Sequence, residues 1–291
     1  MTPKLQGYLY LALAMALVGS TVIVAKVIAG GLPPFTATAL RLALALPCFV
    51  LLMRRAGLGL PRPDRRDGLL LLLQATAGSV GYTTLLIAGL TMTSAADGGV
   101  IVGTLPVVSA AIAILVLGER PRPIVLAAIA LAAAGVLAIT LQPGADGQRS
   151  LPGNALILGA VACEGLFILL NKRLHRDIPP LAQSTVMTAL GLIVALVPAV
   201  LERPWTVPFD AGTAWAIVYY ALAPTVGGYL LWYAGAARVS GAEAALFTAV
   251  APVAAVLLAF AVLGEPLGLN QVLGVGLVLV AVFSLGLRKA S

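Results

Sequence analysis

Histidine occurs once and cysteine twice in the 291 residues, and charged side chains make up only 10% of them. Each scarcity removes a class of function. The lone His175 sits in a loop and cannot build a zinc site, which needs three or four protein ligands. Cys48 and Cys163 lie inside apolar blocks, outside any CxxC or metal-ligand spacing, and read as small buried hydrophobes. HExxH, GxSxG and Gly-Lys-Ser/Thr motifs are absent, so the sequence offers no zinc protease, serine hydrolase or ATPase engine. No enzyme activity and no cofactor are expected. Soluble domains carry about 25% charged residues, so this is not an ordinary soluble globule. Ten-residue alternating strands, the mark of an outer-membrane barrel, are also missing. The net charge of +7 has no basic patch with interleaved aromatics behind it, which argues against nucleic acid.

What remains is apolar sequence: 60% hydrophobic residues and a mean hydropathy of +1.05. It falls into blocks near the length of about 20 residues that crosses a bilayer core of roughly 30 Å. Ten spans are expected, near 7–28, 35–53, 68–90, 97–117, 123–142, 153–174, 180–201, 212–234, 242–263 and 270–287. The first run continues past Val22 toward Ile28, too long for a signal peptide, and reads as a retained helix. Turn residues mark the breaks, among them Pro33-Pro34, Gly118 with Pro121, Pro179-Pro180, and Gly264 with Pro266. The expected class is an all-α polytopic membrane protein.

The basic residues give the orientation. With the N-terminus in the cytoplasm, the inside segments hold Lys4, Arg54, Arg55, Arg62, Arg65, Arg66, Arg120, Arg122, Lys172, Arg173, Arg176, Arg238, Arg288 and Lys289. The outer ends hold only Lys26, Arg149 and Arg203. Positive residues stay inside, so both termini are expected in the cytoplasm, in a bacterial inner membrane.

The chain also repeats itself. Residues 106–119 run from proline through apolar residues to Gly-Glu, and 252–265 do the same. A shift of 146 residues places Gly7 on Gly153, Lys26 on Lys172, Pro33-Pro34 on Pro179-Pro180, Gly89 on Gly235 and Ser94 on Ser240. The expected units are 1–146 and 147–291, with five spans each. Five is odd, so the second unit enters the membrane upside down relative to the first. Such inverted repeats are common among secondary transporters. After Gly-Glu, the first copy carries Arg120 and Arg122 where the second has Pro266 and Gly268. That difference matches a cytoplasmic and an outer helix end. Glu119 and Glu265 themselves read as turn residues, with glycine ending one helix and the acid favoured at the start of the next.

In this order, YLLWYAGAARVSGAEAALFTAVAPVAAVLLAFAVLGEPLGLNQVLGVGLVLVAVF (229–283) resembles the EamA-type repeat of the drug/metabolite transporter superfamily. The first half repeats it at Pro106, Gly118 and Glu119, and FTATALRLALALP (35–47), with Arg41, resembles the family's second span. The resemblance covers essentially the whole chain. It implies a secondary transporter with a central cavity, with exporters of amino acids and related metabolites as the natural comparison. Amino acids, with aromatic or other apolar ones among them, or related small metabolites are the expected substrates; drug-like or other metabolites, or a channel, are the alternatives. The expected partners are a small molecule and the lipid bilayer. Proton or ion coupling and the oligomeric state stay open, with a monomer compatible.

Polar residues at membrane depth are functional candidates by default. Glu164 lies near the middle of span 6 and pairs with Val18 in the repeat, so it belongs to one half only. It reads as a carboxylate for a substrate amine or a proton, or as a protonated packing residue. Gln74, Ser79 and Tyr82 bring hydrogen-bonding groups into span 3, and Tyr229 offers a stacking surface in span 8. Thr104 and Thr248, just before Pro106 and Pro252, either cap carbonyls or line the cavity. Pro224 removes a backbone donor and is expected to hinge span 8. Lys26 and Lys172 are repeat mates that either snorkel to the interface or act as gate charges. Arg41 is expected to snorkel or to meet a helix end.

Overall fold

The computed structural model describes residues 2–61, 63–117, 150–171, 173–174, 178–208, 210–239 and 250–286, with isolated positions between 123 and 135 and at 247. The chain is an all-α polytopic membrane protein. Helices α1 (Pro3–Ala29), α2 (Pro34–Arg55) and α3 (Arg65–Leu90) form the first three crossings. The fourth expected span is two helices, α4 (Ala95–Val102) and α5 (Leu105–Leu117). Then come α6 (Leu151–Asn171), α7 (Pro180–Leu201), α8 (Ala211–Ala236), α9 (Val250–Leu263) and α10 (Leu269–Gly286). Six of these are long and apolar enough to cross a membrane. Most of the fifth expected span lies outside the described residues, as do Glu119, Lys172 and Thr248.

Local chemistry sets the helix starts. Thr2, Asp64, Ser94 and Asp210 each accept a backbone N–H from the residue three positions on, and so cap α1, α3, α4 and α8. Proline opens α2 and α7, where a missing N–H costs nothing. At the end of α9, Gly264 has φ +67°, and the amides of Gly264 and Glu265 reach back to the carbonyls of Phe260 and Ala259. That is the left-handed glycine stop expected from the sequence.

Glu265 does something the sequence did not suggest. Its carboxylate accepts the amides of Ala95 (2.9 Å) and Ala96 (2.8 Å), so it caps the distant α4 rather than the next helix. Glu202, just after α7, does the same for α2. It accepts the amides of Phe35 (3.1 Å) and Thr36 (2.7 Å) and the Thr36 hydroxyl (2.8 Å). Both carboxylates use the positive end of a helix dipole.

The packing exchanges the two halves. Helix α1 packs against α8 and α9, and its repeat mate α6 packs against α3 and α5. Helices α2 and α7, also mates, pack on each other. The main core, with Val22, Ile23, Leu86, Ile101, Ile157 and Val161, draws on both halves. Apolar side chains such as Leu13, Leu51, Ile193 and Val197 point outward, as a lipid-facing surface requires.

Spans 3 and 8 are not uniform α-helices. Each widens into a π-helical segment, Ala75–Gly81 in α3 and Ala221–Gly227 in α8. The two segments coincide under the 146-residue shift. In α8 the cause is visible. Pro224 has no N–H to give the Tyr220 carbonyl an α-helical bond, the segment takes the wider i→i+5 register, and the Thr225 hydroxyl also donates to that carbonyl, at 2.8 Å. At Pro224, where a hinge is expected, the helix takes a π-helical turn whose Tyr220 carbonyl is hydrogen-bonded.

Candidate functional site

Between the halves lies a cavity of about 160 Å³, with walls from both. Its floor is set by the two π-helical segments, which supply Gly78, Ser79, Pro224 and Thr225. One charged side chain of each sign reaches it, Glu164 from α6 and Arg41 from α2. Hydroxyls come from Thr21, Tyr82, Ser184, Thr188 and Tyr229. Val18, Leu42, Val102, Leu105, Phe167 and Met187 give an apolar wall.

The two charges are held differently. Arg41 is only 7% exposed. Its Nη1 donates to Thr225 Oγ1 at 3.0 Å, and its Nη2 donates to the Ser79 carbonyl at 3.0 Å and to Thr83 Oγ1 at 2.9 Å. Its guanidinium also lies 4.8 Å from the centre of the Tyr220 ring, a cation–π contact. Glu164 is half-buried against the cavity and takes no hydrogen bond from any described residue. Arg41 is the countercharge that acts on it, through space. A carboxylate left open beside hydroxyls and an apolar wall can receive a cationic group whose remainder is apolar.

Of the residues expected from sequence, Glu164, Tyr82, Ser79, Tyr229 and Pro224 line this one cavity. Tyr229 has Phe49 edge-on at 6.1 Å and Tyr233 tilted at 5.9 Å, which fix its ring. Gln74 is fully buried outside the cavity wall, and its side-chain oxygen accepts from Gln183 at 3.3 Å. Thr104 is also buried away from the wall, and its hydroxyl closes the break between α4 and α5 by donating to the Ile101 carbonyl at 2.6 Å. Lys26 neither snorkels nor faces the cavity. Its Nζ donates to the carbonyls of Leu90 (2.8 Å) and Thr93 (2.7 Å), at the C-terminal end of α3, where the helix dipole favours a cation. Thr248 and Lys172 lie outside the described residues.

Arg41 was the residue underestimated from sequence. A lone arginine inside FTATALRLALALP was itself the signal, because a charge at membrane depth persists only when something uses it. Its partners, Thr83 and Thr225, carry no such mark, since threonine is common in membrane helices.

The comparisons agree with this architecture. The model of the EamA-like transporter family matches twice, over residues 5–141 and 151–287. An uncharacterized transporter, YetK, of Bacillus subtilis is 32% identical over 98% of this chain and 88% of its own length. A probable terminal-alkyne amino-acid exporter of Streptantibioticus cattleyicolor is 29% identical over 80% of this chain and 79% of its own. A solved crystal structure with 19% identity superposes with a TM-score of 0.67 over 99% of both chains, which shows the fold. With two family repeats covering nearly its whole length, the chain belongs to the EamA-like transporter family.

Proposed function

We propose that this transporter is a secondary active exporter of amino acids with apolar or aromatic side chains, or of closely related small metabolites. It works by alternating access between the two inverted halves, in a bacterial inner membrane with both termini in the cytoplasm. The observation that carries the reading is Glu164, a carboxylate facing the cavity between the halves with no hydrogen bond from any described residue. A substrate ammonium fits that carboxylate, the hydroxyls of Tyr82, Tyr229 and Thr21 surround the polar end, and Phe167, Met187 and Leu42 receive the side chain. The volume of about 160 Å³ lies below the roughly 300 Å³ at which drug-sized pockets begin, which favours a metabolite over a drug. The relative named as an amino-acid exporter supports the same substrate class.

The test is counterflow in liposomes holding the purified protein, with labelled alanine, leucine, methionine and phenylalanine, with and without a pH gradient. Saturable counterflow of at least one, competed by the free amino acid but not by its N-acetyl derivative, is expected. No movement of any of the four, or equal competition by the N-acetyl compound, overturns the reading.

A further inference from the structure

Arg41 makes its three hydrogen bonds to two different helices, and their positions are related. Ser79 and Thr225 stand 146 residues apart, so they are the same position of the repeat, each within the π-helical segment of its own half. A single guanidinium thus spans equivalent points of both. Its own repeat position holds Met187, so there is one such group for two segments. We infer that Arg41 is a positioning residue that couples the π-helical hinge of one half to that of the other, so that the two rearrange together during transport.

Proton accounting supports this. Each threonine hydroxyl has one proton. Thr225 spends its proton on the Tyr220 carbonyl, whose α-helical donor Pro224 lacks, and Thr83 spends its own on the Ser79 carbonyl at 3.2 Å. Each hydroxyl oxygen therefore turns a lone pair to Arg41. The result is one continuous chain: Ser79 carbonyl and Thr83 hydroxyl, guanidinium, Thr225 hydroxyl, Tyr220 carbonyl. A change at the proline hinge of α8 alters the acceptor of Nη1, and the rigid fork carries that change to Nη2 and to α3. Lysine has no planar fork and cannot hold acceptors on two helices in fixed relation. Among the described residues no carboxylate bonds to Arg41, which acts on Glu164 only through space, so its hydrogen bonds all go to these hinge acceptors, with its face on the ring of Tyr220.

This rests on the alternating-access reading, but its first test needs no substrate. In lipid nanodiscs, Thr225→Val removes the acceptor of Nη1 while keeping side-chain shape. Amide hydrogen exchange over residues 75–84, in the unmutated half, is expected to quicken about fivefold, the factor given by the net loss of one hydrogen bond. Thr83→Val should quicken exchange over 221–228 in return, because coupling is reciprocal. Thr225→Ser, which keeps the hydroxyl, should restore slow exchange over 75–84. Faster exchange confined to the mutated helix in both variants overturns the inference.

Counterflow gives the second readout. Thr225→Val should lower the maximal rate about tenfold, the worth of one hydrogen bond to a charged group, with half-saturation moving less than about twofold. A loss wholly in half-saturation would make Thr225 a binding residue only and would also overturn the coupling. If the wild-type protein moves no amino acid, the proposed function fails, while the exchange experiment still decides the coupling.

Discussion

Gly89 and Gly153 lie so close that a Cβ on either would meet the other's carbonyl oxygen, at 2.7 Å from Gly89 and 3.0 Å from Gly153. The same contact occurs between Gly235 and Gly7, at 3.0 and 3.3 Å. Under the repeat shift Gly7 becomes Gly153 and Gly89 becomes Gly235, so one helix crossing is made twice with the halves exchanged. A Cβ on Gly89 would also meet the Ile157 side chain at 2.5 Å, and the Gly153 carbonyl behind it is backbone, which cannot rotate away. Gly89→Ala should therefore destabilise the protein by about 1–3 kcal/mol, the usual cost of overpacking. Gly59→Ala, where nothing lies within 4 Å, is the control and should melt like the parent. Thermal unfolding in detergent, followed by size-exclusion recovery, checks both. Equal melting of the two variants would mean that the helices part easily at this crossing.

The cap made by Glu202 on α2 gives a second prediction. Glu202→Ala leaves the amides of Phe35 and Thr36 without their acceptor and should cost about 1–2 kcal/mol, as lost caps do. Glu202→Gln keeps one acceptor oxygen but loses the charge that the helix dipole favours, so its cost should be smaller. Hydrogen exchange at residues 35–38 should rise in the same order. If Gln and Ala behave alike, the charge supplies most of the stabilisation.

Much of the fold was legible because membrane helices advertise themselves by length and apolarity. The repeat was legible because glycine, proline, lysine and glutamate recur at one spacing, and such matches are hard to produce from leucine and alanine alone. The π-helical segments were not legible. Their only sequence signs are Pro224 in one half and small residues in the other, and neither states how many residues a turn will hold. The break at Gly103 and Thr104 within span 4 was missed for the same reason, since apolarity continues unbroken through it. At the site, Glu164 and Tyr82 stood out by chemistry against an apolar background. Gln74 and Thr104 stood out equally but face packing partners instead, because depth in the membrane does not specify which side of a helix a residue occupies. Lys26 was read as a snorkelling or gating charge, yet it serves the end of a helix 64 residues away, a contact only the packing creates.

The orientation proposed from basic residues can be checked at two exposed loops. Trp205 is 71% exposed in the short turn after α7, and Gly59 lies in the loop after α2. In a background with Cys48 and Cys163 replaced by serine, Trp205→Cys should react in intact cells with a membrane-impermeant maleimide. Gly59→Cys should react only after the membrane is opened. The reverse pattern would turn the whole topology over, since both sites follow from the same count of arginines.

Glu164 and Arg41 share one cavity but should answer mutation in opposite ways. Arg41 is a donor to three protein acceptors, so Arg41→Met strips the Ser79 carbonyl, Thr83 and Thr225 of their common partner. Each keeps its other hydrogen bond, Thr225 to the Tyr220 carbonyl and Thr83 to the Ser79 carbonyl, so the loss is that of hydrogen bonds to a charged donor, about 1.5–3 kcal/mol for each at most, and folded yield should fall. Among the described residues Glu164 holds no hydrogen bond, so Glu164→Gln removes none of the bonds that hold the fold. The melting temperature should stay within the range of neutral substitutions, about 0.5 kcal/mol in stability. Transport should not survive so well. A substrate ammonium bonded to a carboxylate gains about 1.5–3 kcal/mol from that bond, so half-saturation for the best amino acid should rise by about tenfold or more in Glu164→Gln. Glu164→Asp keeps the charge at a shorter reach and should lie between the two. Tyr82→Ala should lower transport with unchanged yield, because its hydroxyl faces the same space. If Glu164→Gln instead melts lower and transports normally, the carboxylate is a packing group and the ammonium is recognised elsewhere. The contrast between the two charges is the informative quantity, because loss of stability and loss of transport are separate measurements on the same pair of proteins.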